Sequence, residues 1–144
     1  MIRQLLFSAG VAVLSAQAPG TLTTTGNMIA AEPYPQAILL SNGKVLVAGY
    51  SAELYDPVLG SFGPTGAVDS RIFSSYTLLA DRRVLIAGGS DLAYNTLASA
   101  ELYDPSTGTI TPTGNMTTPR DAPNAVLFND GKVFIVGGKL PAVP

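Results

Sequence analysis

Lys44-Val45-Leu46-Val47-Ala48-Gly49 returns as Arg83-Val84-Leu85-Ile86-Ala87-Gly88, and again as Lys132-Val133-Phe134-Ile135-Val136-Gly137. Two other elements keep step with it. Glu53-Leu54-Tyr55-Asp56-Pro57 recurs as Glu101-Leu102-Tyr103-Asp104-Pro105, and Gly26-Asn27-Met28 recurs as Gly114-Asn115-Met116, with Gly66-Ala67-Val68 between them. The intervals are 39 and 49 residues from Val45 to Val84 to Val133. A period of this size marks a chain assembled from one supersecondary unit used repeatedly. The shorter interval has a local cause. Val45 to Glu53 is 8 residues and Val84 to Glu101 is 17, so the second unit carries a nine-residue insertion around residues 90–98. Length variation confined to one connection is the behaviour of a surface loop on a fixed scaffold.

Each unit reads as four short strands. Ala37-Ile38-Leu39-Leu40 and Val45-Leu46-Val47-Ala48 flank Asn42-Gly43, a strong hairpin signal in which both central residues are expected at positive φ. The third unit has Asp130-Gly131 there, and the second has Asp81-Arg82, from which a looser turn is expected. The strands are apolar without alternation, as suits sheets covered on both faces. A third strand ends in Asp-Pro-x-x-Gly (Asp56 to Gly60, Asp104 to Gly108), where Asp bonds forward amides, Pro presets φ and Gly takes a left-handed position. A fourth strand follows near Ser61-Phe62 and near Thr109-Ile110-Thr111. Four antiparallel strands per unit at this period make a propeller blade, so the fold is expected to be all-β, an incomplete propeller with repeats at about 22–62, 63–111 and 112–144.

These residues resemble kelch repeats. The kelch signature joins a strand ending in Gly-Gly to a later Glu-x-Tyr-Asp-Pro. Gly88-Gly89 and Gly137-Gly138 match the glycine pair, while the first unit has Gly49-Tyr50. Glu53, Tyr55 and Asp56, with Glu101, Tyr103 and Asp104, match the second element. The family's terminal Trp is missing; Phe62 and Ile110 sit near its place. The likeness runs from about Leu22 to Lys139, and the chain is similar to the kelch and galactose-oxidase central-domain type of propeller found in exported proteins.

The first 18 residues read as a signal peptide. Arg3 is the positive start, Leu5 to Leu14 the apolar run, and Ala16-Gln17-Ala18 the small-residue cleavage motif, with a cut after Ala16 as an alternative. The apolar run falls short of the roughly 20 residues that span a bilayer, so no stable transmembrane anchor is expected. The expected location is secreted, or the periplasm and cell envelope.

Composition excludes several activities. With no Cys and no His, the chain cannot form disulfides, Cys/His zinc sites, thiol nucleophiles or His-based triads. A net charge of −2 and 12% charged residues leave no basic stripe for nucleic acid. Galactose-oxidase-like chemistry, as the resemblance implies it, needs a copper radical site of His, Tyr and Cys, which this chain cannot build. No catalytic residue, metal ligand or cofactor is identified.

Two groups are candidate ligand residues. Arg71 and Arg120 occupy equivalent positions 13 residues before Val84 and Val133, where the first unit has Glu32. They either line a propeller face and grip an anion or a sugar, or bond neighbouring carbonyls or a repeat Glu. Asp91, Tyr94 and Asn95 in the inserted loop combine polar groups with an aromatic, which suits a carbohydrate or protein contact. The expected function is non-catalytic binding of a protein or a glycan. The alternative is the N-terminal part of an exported galactose-oxidase-like enzyme whose catalytic residues lie elsewhere. Because a blade buries its faces only against neighbours, two and a half units leave an apolar end open. A fragment, or self-association through open blade faces, is expected from this.

Overall fold

A computed structural model describes residues 10–14, 22–32, 34–66 and 70–140. Among them are twelve strands and no helix. Strands β3 (Gln36–Leu39), β4 (Val45–Ala48), β5 (Ala52–Asp56) and β6 (Ser61–Pro64) form one antiparallel meander in that order. Strands β7 (Ser75–Leu78), β8 (Val84–Ala87), β9 (Ala100–Asp104) and β10 (Thr109–Pro112) form a second, and β11 (Asn124–Leu127) with β12 (Val133–Val136) a two-stranded third. β7 lies between β3 and β11, so the first strands of the three sheets stand side by side, as in blades around an axis. The all-β, unclosed, blade-like architecture expected from the repeat is what the chain adopts.

Register follows the repeat. Val47 faces Glu53 across β4–β5, and Ile86 faces Glu101 across β8–β9. The core lies between the two complete blades. Leu40, Leu46 and Ala48 from the first pack against Val84, Ile86 and Tyr103 from the second. Successive residues of β4 face opposite sides, so the continuous apolar run is explained: Leu46 and Ala48 meet the second blade, and Val47 is also buried on the other side. The Tyr103 hydroxyl adds a polar tie, 2.5 Å from the Thr65 hydroxyl of the first blade.

The hairpin turns correct one expectation. In the first unit Leu40 N–H donates to Lys44 and Gly43 N–H donates back to Leu40, so the loop is three residues, and only Gly43 takes positive φ. This is a tight turn followed by a left-handed residue, and Asn42 serves by accepting from Lys44 N–H through its side chain. The second unit is no looser. Leu79 and Arg82 repeat the same two bonds, and Arg82 takes the left-handed position at φ 72°. The Asp-Pro-x-x-Gly turns form as expected: Gly60 N–H donates to the Asp56 carbonyl and Gly108 N–H to that of Asp104, at 2.8 Å each.

The amino-terminal segment has a definite place. β1 (Gly10–Leu14) pairs antiparallel with β2 (Leu22–Asn27). Gly26, at the end of β2, donates its N–H to the Gly60 carbonyl at 2.9 Å. A Cβ on Gly26 would lie 2.8 Å from that oxygen, and one on Gly66 would strike the Gly108 carbonyl, so at these two copies of the repeat position close backbone approach demands glycine. β2 therefore stands to the first blade as the end of β6 stands to the second. Of the expected signal segment only residues 10–14 are described; the rest, including both cleavage positions, lies outside the described residues.

Candidate functional site

The meander sends its connections to two ends. The β3–β4 and β5–β6 turns lie at one end with their counterparts. The β4–β5 and β8–β9 loops lie at the other, together with the segments leading into β3, β7 and β11. Rigid strands thus hold a set of irregular loops at one end, the usual placement of binding residues.

Aromatic side chains collect there. Tyr34, Phe73 and Ala122 are equivalent residues, each 11 positions before the repeat valine. The Tyr34 and Phe73 rings pack with centroids 4.8 Å apart, yet Tyr34 stays half-exposed. Phe73 and Ala122 hold positive φ, 58° and 53°, tied by a bond from Ala122 N–H to the Phe73 carbonyl. A bulky residue in that region costs about 1–3 kcal/mol and persists only where its surroundings demand it. Tyr50, from the three-residue β4–β5 loop, joins the patch. Its phenol is held above the ordinary value, first by desolvation, then by the neighbouring Tyr94, and by Tyr34 and Glu32.

The predicted loop residues are brought together. Asp91 accepts from the amides of Ala93 and Asn95 and from the Asn95 side chain, at 2.8, 2.9 and 2.9 Å. The Asn95 side chain is the main reason the Asp91 carboxyl sits below its usual range. These bonds fold the loop so that Tyr94 takes positive φ and is 71% exposed. Asp91 and Asn95 thus engage each other and present Tyr94. Glu32 does similar work on the opposite rim: its carboxylate accepts from the Tyr50 and Ser51 amides and the Ser51 hydroxyl.

The two arginines lie elsewhere and do not meet. Arg71 is buried, 3% exposed, and its guanidinium donates to the Gly88 carbonyl, to Ser99 and to Glu101. Arg120 repeats the first of these contacts, donating to the Gly137 carbonyl at 2.6 Å. In the first unit, where Glu32 replaces arginine, Glu53 instead receives the Ile29 and Ala30 amides. Tyr55 and Tyr103 lie inside the blades, Tyr55 with its ring against Phe62. Gly89 is fixed by geometry: at φ 87°, a Cβ would lie 2.3 Å from the Ile72 carbonyl.

Tyr34 and Phe73 share one repeat position but differ in residue type, with Ala122 third, and Tyr50 stands where the other units have the second glycine of a pair, so a reading that looks for identical motifs passes over all three. The signal that finds Tyr34 and Phe73 is the shared offset of 34, 73 and 122. At the opposite end two grooves of about 410 Å3 each are lined by turn residues such as Asn42, Asp81, Arg83 and Asp104. Their charges are spent locally, as in the Asp81–Arg83 pair at 2.6 Å. Among the described residues no group of three or more Asp, Glu, His or Cys could hold a metal, and no helix is long and apolar enough to cross a membrane. The chain matches no known family model and no curated protein.

Proposed function

We propose that this chain is an exported, kelch-type propeller protein that binds carbohydrate, without catalysis, on the aromatic loop end. The observation that carries the reading is the aromatic cluster of Tyr34, Phe73, Tyr50 and Tyr94, in which Tyr34 and Tyr94 are exposed and Phe73 and Tyr50 half-buried, rimmed by Glu32, Asp91 and Asn95. Tyrosine offers a rigid apolar ring with a polar tip, which suits the alternating C–H and hydroxyl surface of a sugar. Glu32 and the Asp91–Asn95 pair brace the two loops that present the rings, which keeps the platform rigid before any sugar arrives. The kelch assignment is supported by Gly88-Gly89, Gly137-Gly138 and the two Glu-Leu-Tyr-Asp-Pro elements. Export is supported by the Arg3, apolar-run and Ala16-Gln17-Ala18 pattern. Removal of the leader would take away β1, while the Gly26–Gly60 bond holding β2 would remain.

The test is retention of the full chain on immobilised polysaccharides of different backbone and charge, with Tyr34→Ala/Tyr94→Ala as control. Retention on at least one glycan that the double variant loses supports the reading. Retention on none, or equal retention of the variant, refutes it; capture of a protein partner through the same residues would favour the protein-binding alternative.

A further inference from the structure

The turn end of the two complete blades holds one residue that the repeat does not explain. The left-handed position of the β7–β8 turn is Arg82, where the other two units use Gly43 and Gly131 at φ 83° and 85°. A side chain disfavours that conformation and glycine does not, so arginine sits there against the preference of the backbone. Nor is its charge used locally. Arg83 is taken by Asp81 at 2.6 Å and Lys44 by Asp56 at 3.2 Å. The Arg82 guanidinium is exposed and makes no hydrogen bond or ion pair among the described residues. Strain at a residue whose side chain has no local partner points to a role outside the turn.

Arg82 lines a groove of about 410 Å3 built by both blades. Ser41 and Asn42 come from the β3–β4 turn of the first, and Asp81, Asp104 and Pro105 from the turns of the second. We propose that this groove is a binding site for a sugar acid, a single ring bearing one carboxylate, with Arg82 receiving the carboxylate. A planar guanidinium meets a carboxylate through two parallel hydrogen bonds. Asp81 and Asp104 in the same groove repel further negative charge, which favours a monocarboxylate over a phosphate dianion. The volume lies at the small end of ligand pockets, which run from about 300 to 1,000 Å3, and gives room for one ring. The ring's hydroxyls find partners in the same groove. Asn42 commits its side-chain oxygen to the Lys44 amide at 3.1 Å and keeps its side-chain N–H groups for a ligand, and the Ser41 hydroxyl has no partner among the described residues. The first blade has a groove of its own between turns, but Gly43 and Lys44 stand there in place of Arg82 and Arg83, and Lys44 is already paired with Asp56. The site is therefore particular to the second blade. It lies at the opposite end from the aromatic loops and holds whether or not those bind sugar.

The probe is galacturonate, titrated into the isotope-labelled full chain and followed by amide NMR, with galactose and inorganic phosphate as controls. The expected result is saturable shifts at the Asn42, Arg82 and Ser106 amides, with both controls weaker by about tenfold or more. Arg82→Gly should weaken galacturonate binding by about tenfold while raising the melting temperature, so lost binding is not lost folding. Arg82→Lys keeps the charge without the fork and should fall between the two. Tyr34→Ala/Tyr94→Ala should leave the turn-end shifts unchanged, which separates this site from the loop end. A linked trimer of galacturonate that binds more tightly than the monomer assigns the carboxylate to a chain end, and a monomer that binds as tightly assigns it to the free acid; both support the site. The proposal is overturned if the turn-end amides do not shift, if galactose or phosphate binds as tightly as galacturonate, or if Arg82→Gly binds it unchanged.

Discussion

Arg71 and Glu101 meet at 2.7 Å inside the second blade, with side chains only 3% and 7% exposed. The pair joins the segment before β7 to β9, across the blade. Once two charges are buried together, removing one strands the other in a poor solvent, which costs about 3–5 kcal/mol. Arg71→Met and Glu101→Leu should each lower unfolding stability by that order in denaturant titrations. The double variant should recover most of the loss, because well-packed apolar pairs replace buried ion pairs at little cost. Additive losses would contradict the pairing.

Arg82 sits where the other two units have Gly43 and Gly131, at a left-handed φ that a side chain disfavours. Arg82→Gly should therefore stabilise the protein, by about 0.5–1 kcal/mol after the glycine's entropy in the unfolded chain is subtracted. Gly43→Ala and Gly131→Ala should lose a similar amount. Thermal melts of the three variants check the sign.

Stability should depend on pH at both extremes. Burial pushes the Tyr76 phenol up to about 12 from 10.0. A raised value in the folded state means stability that is whole below pH 10 and lost as pH rises from 10 towards 12. Alkaline unfolding should move to higher pH in Tyr76→Phe. At the acid end, Asp56, Asp81, Asp91, Asp104 and Asp130 lie below their ordinary values. Asp56 is lowered first by the Leu59 amide, and the others first by the side chains of Arg83, Asn95, Ser106 and Lys132 respectively. Their contribution is whole above the unfolded value of 3.8 and is lost progressively as pH falls below it, through the lower folded-state values. Asp81 and Asp130 are exposed and the other three only half-buried, so added salt should shrink this acid limb.

Tyr103 and Thr65 share the hydrogen bond that ties one blade to the next. Tyr103→Phe keeps the packing and removes the hydroxyl, which should cost about 1 kcal/mol. Thr65→Val in the Tyr103→Phe background should add less than it does alone. That non-additivity, read from a double-mutant cycle, is the evidence of contact.

Much of this architecture was legible because it is written several times. Three copies of the apolar run, two of Glu-Leu-Tyr-Asp-Pro and two glycine pairs fix strand number and blade order before any coordinate is seen. The turns were less legible. Asn42-Gly43 suggests two left-handed residues, but the structure uses one, and Arg82 fills the same position because backbone geometry is set by the flanking pair of hydrogen bonds. The site was half legible. Asp91, Tyr94 and Asn95 stand out as an insertion, whereas Tyr34, Tyr50 and Phe73 join them only through folding. Arg71 looked the same as Arg120 in sequence. Folding sets Arg71 against Glu101 as well as the Gly88 carbonyl, and Arg120 against the Gly137 carbonyl.

Contact between sugar and the loop-end tyrosines can be read ring by ring. The chain has six tyrosines and no tryptophan, so ring-selective carbon-13 labelling of tyrosine reports on the whole set. Tyr34, Tyr50 and Tyr94 belong to the loop end; Tyr55, Tyr76 and Tyr103 lie within the blades. The measurement is an NMR titration of the full chain with an oligosaccharide from the best-retained polysaccharide. Saturable shifts of Tyr34, Tyr50 and Tyr94 are expected while the other three stay still. Shifts confined to Tyr55, Tyr76 or Tyr103, or no shift with any oligosaccharide, would contradict sugar binding at the loop end.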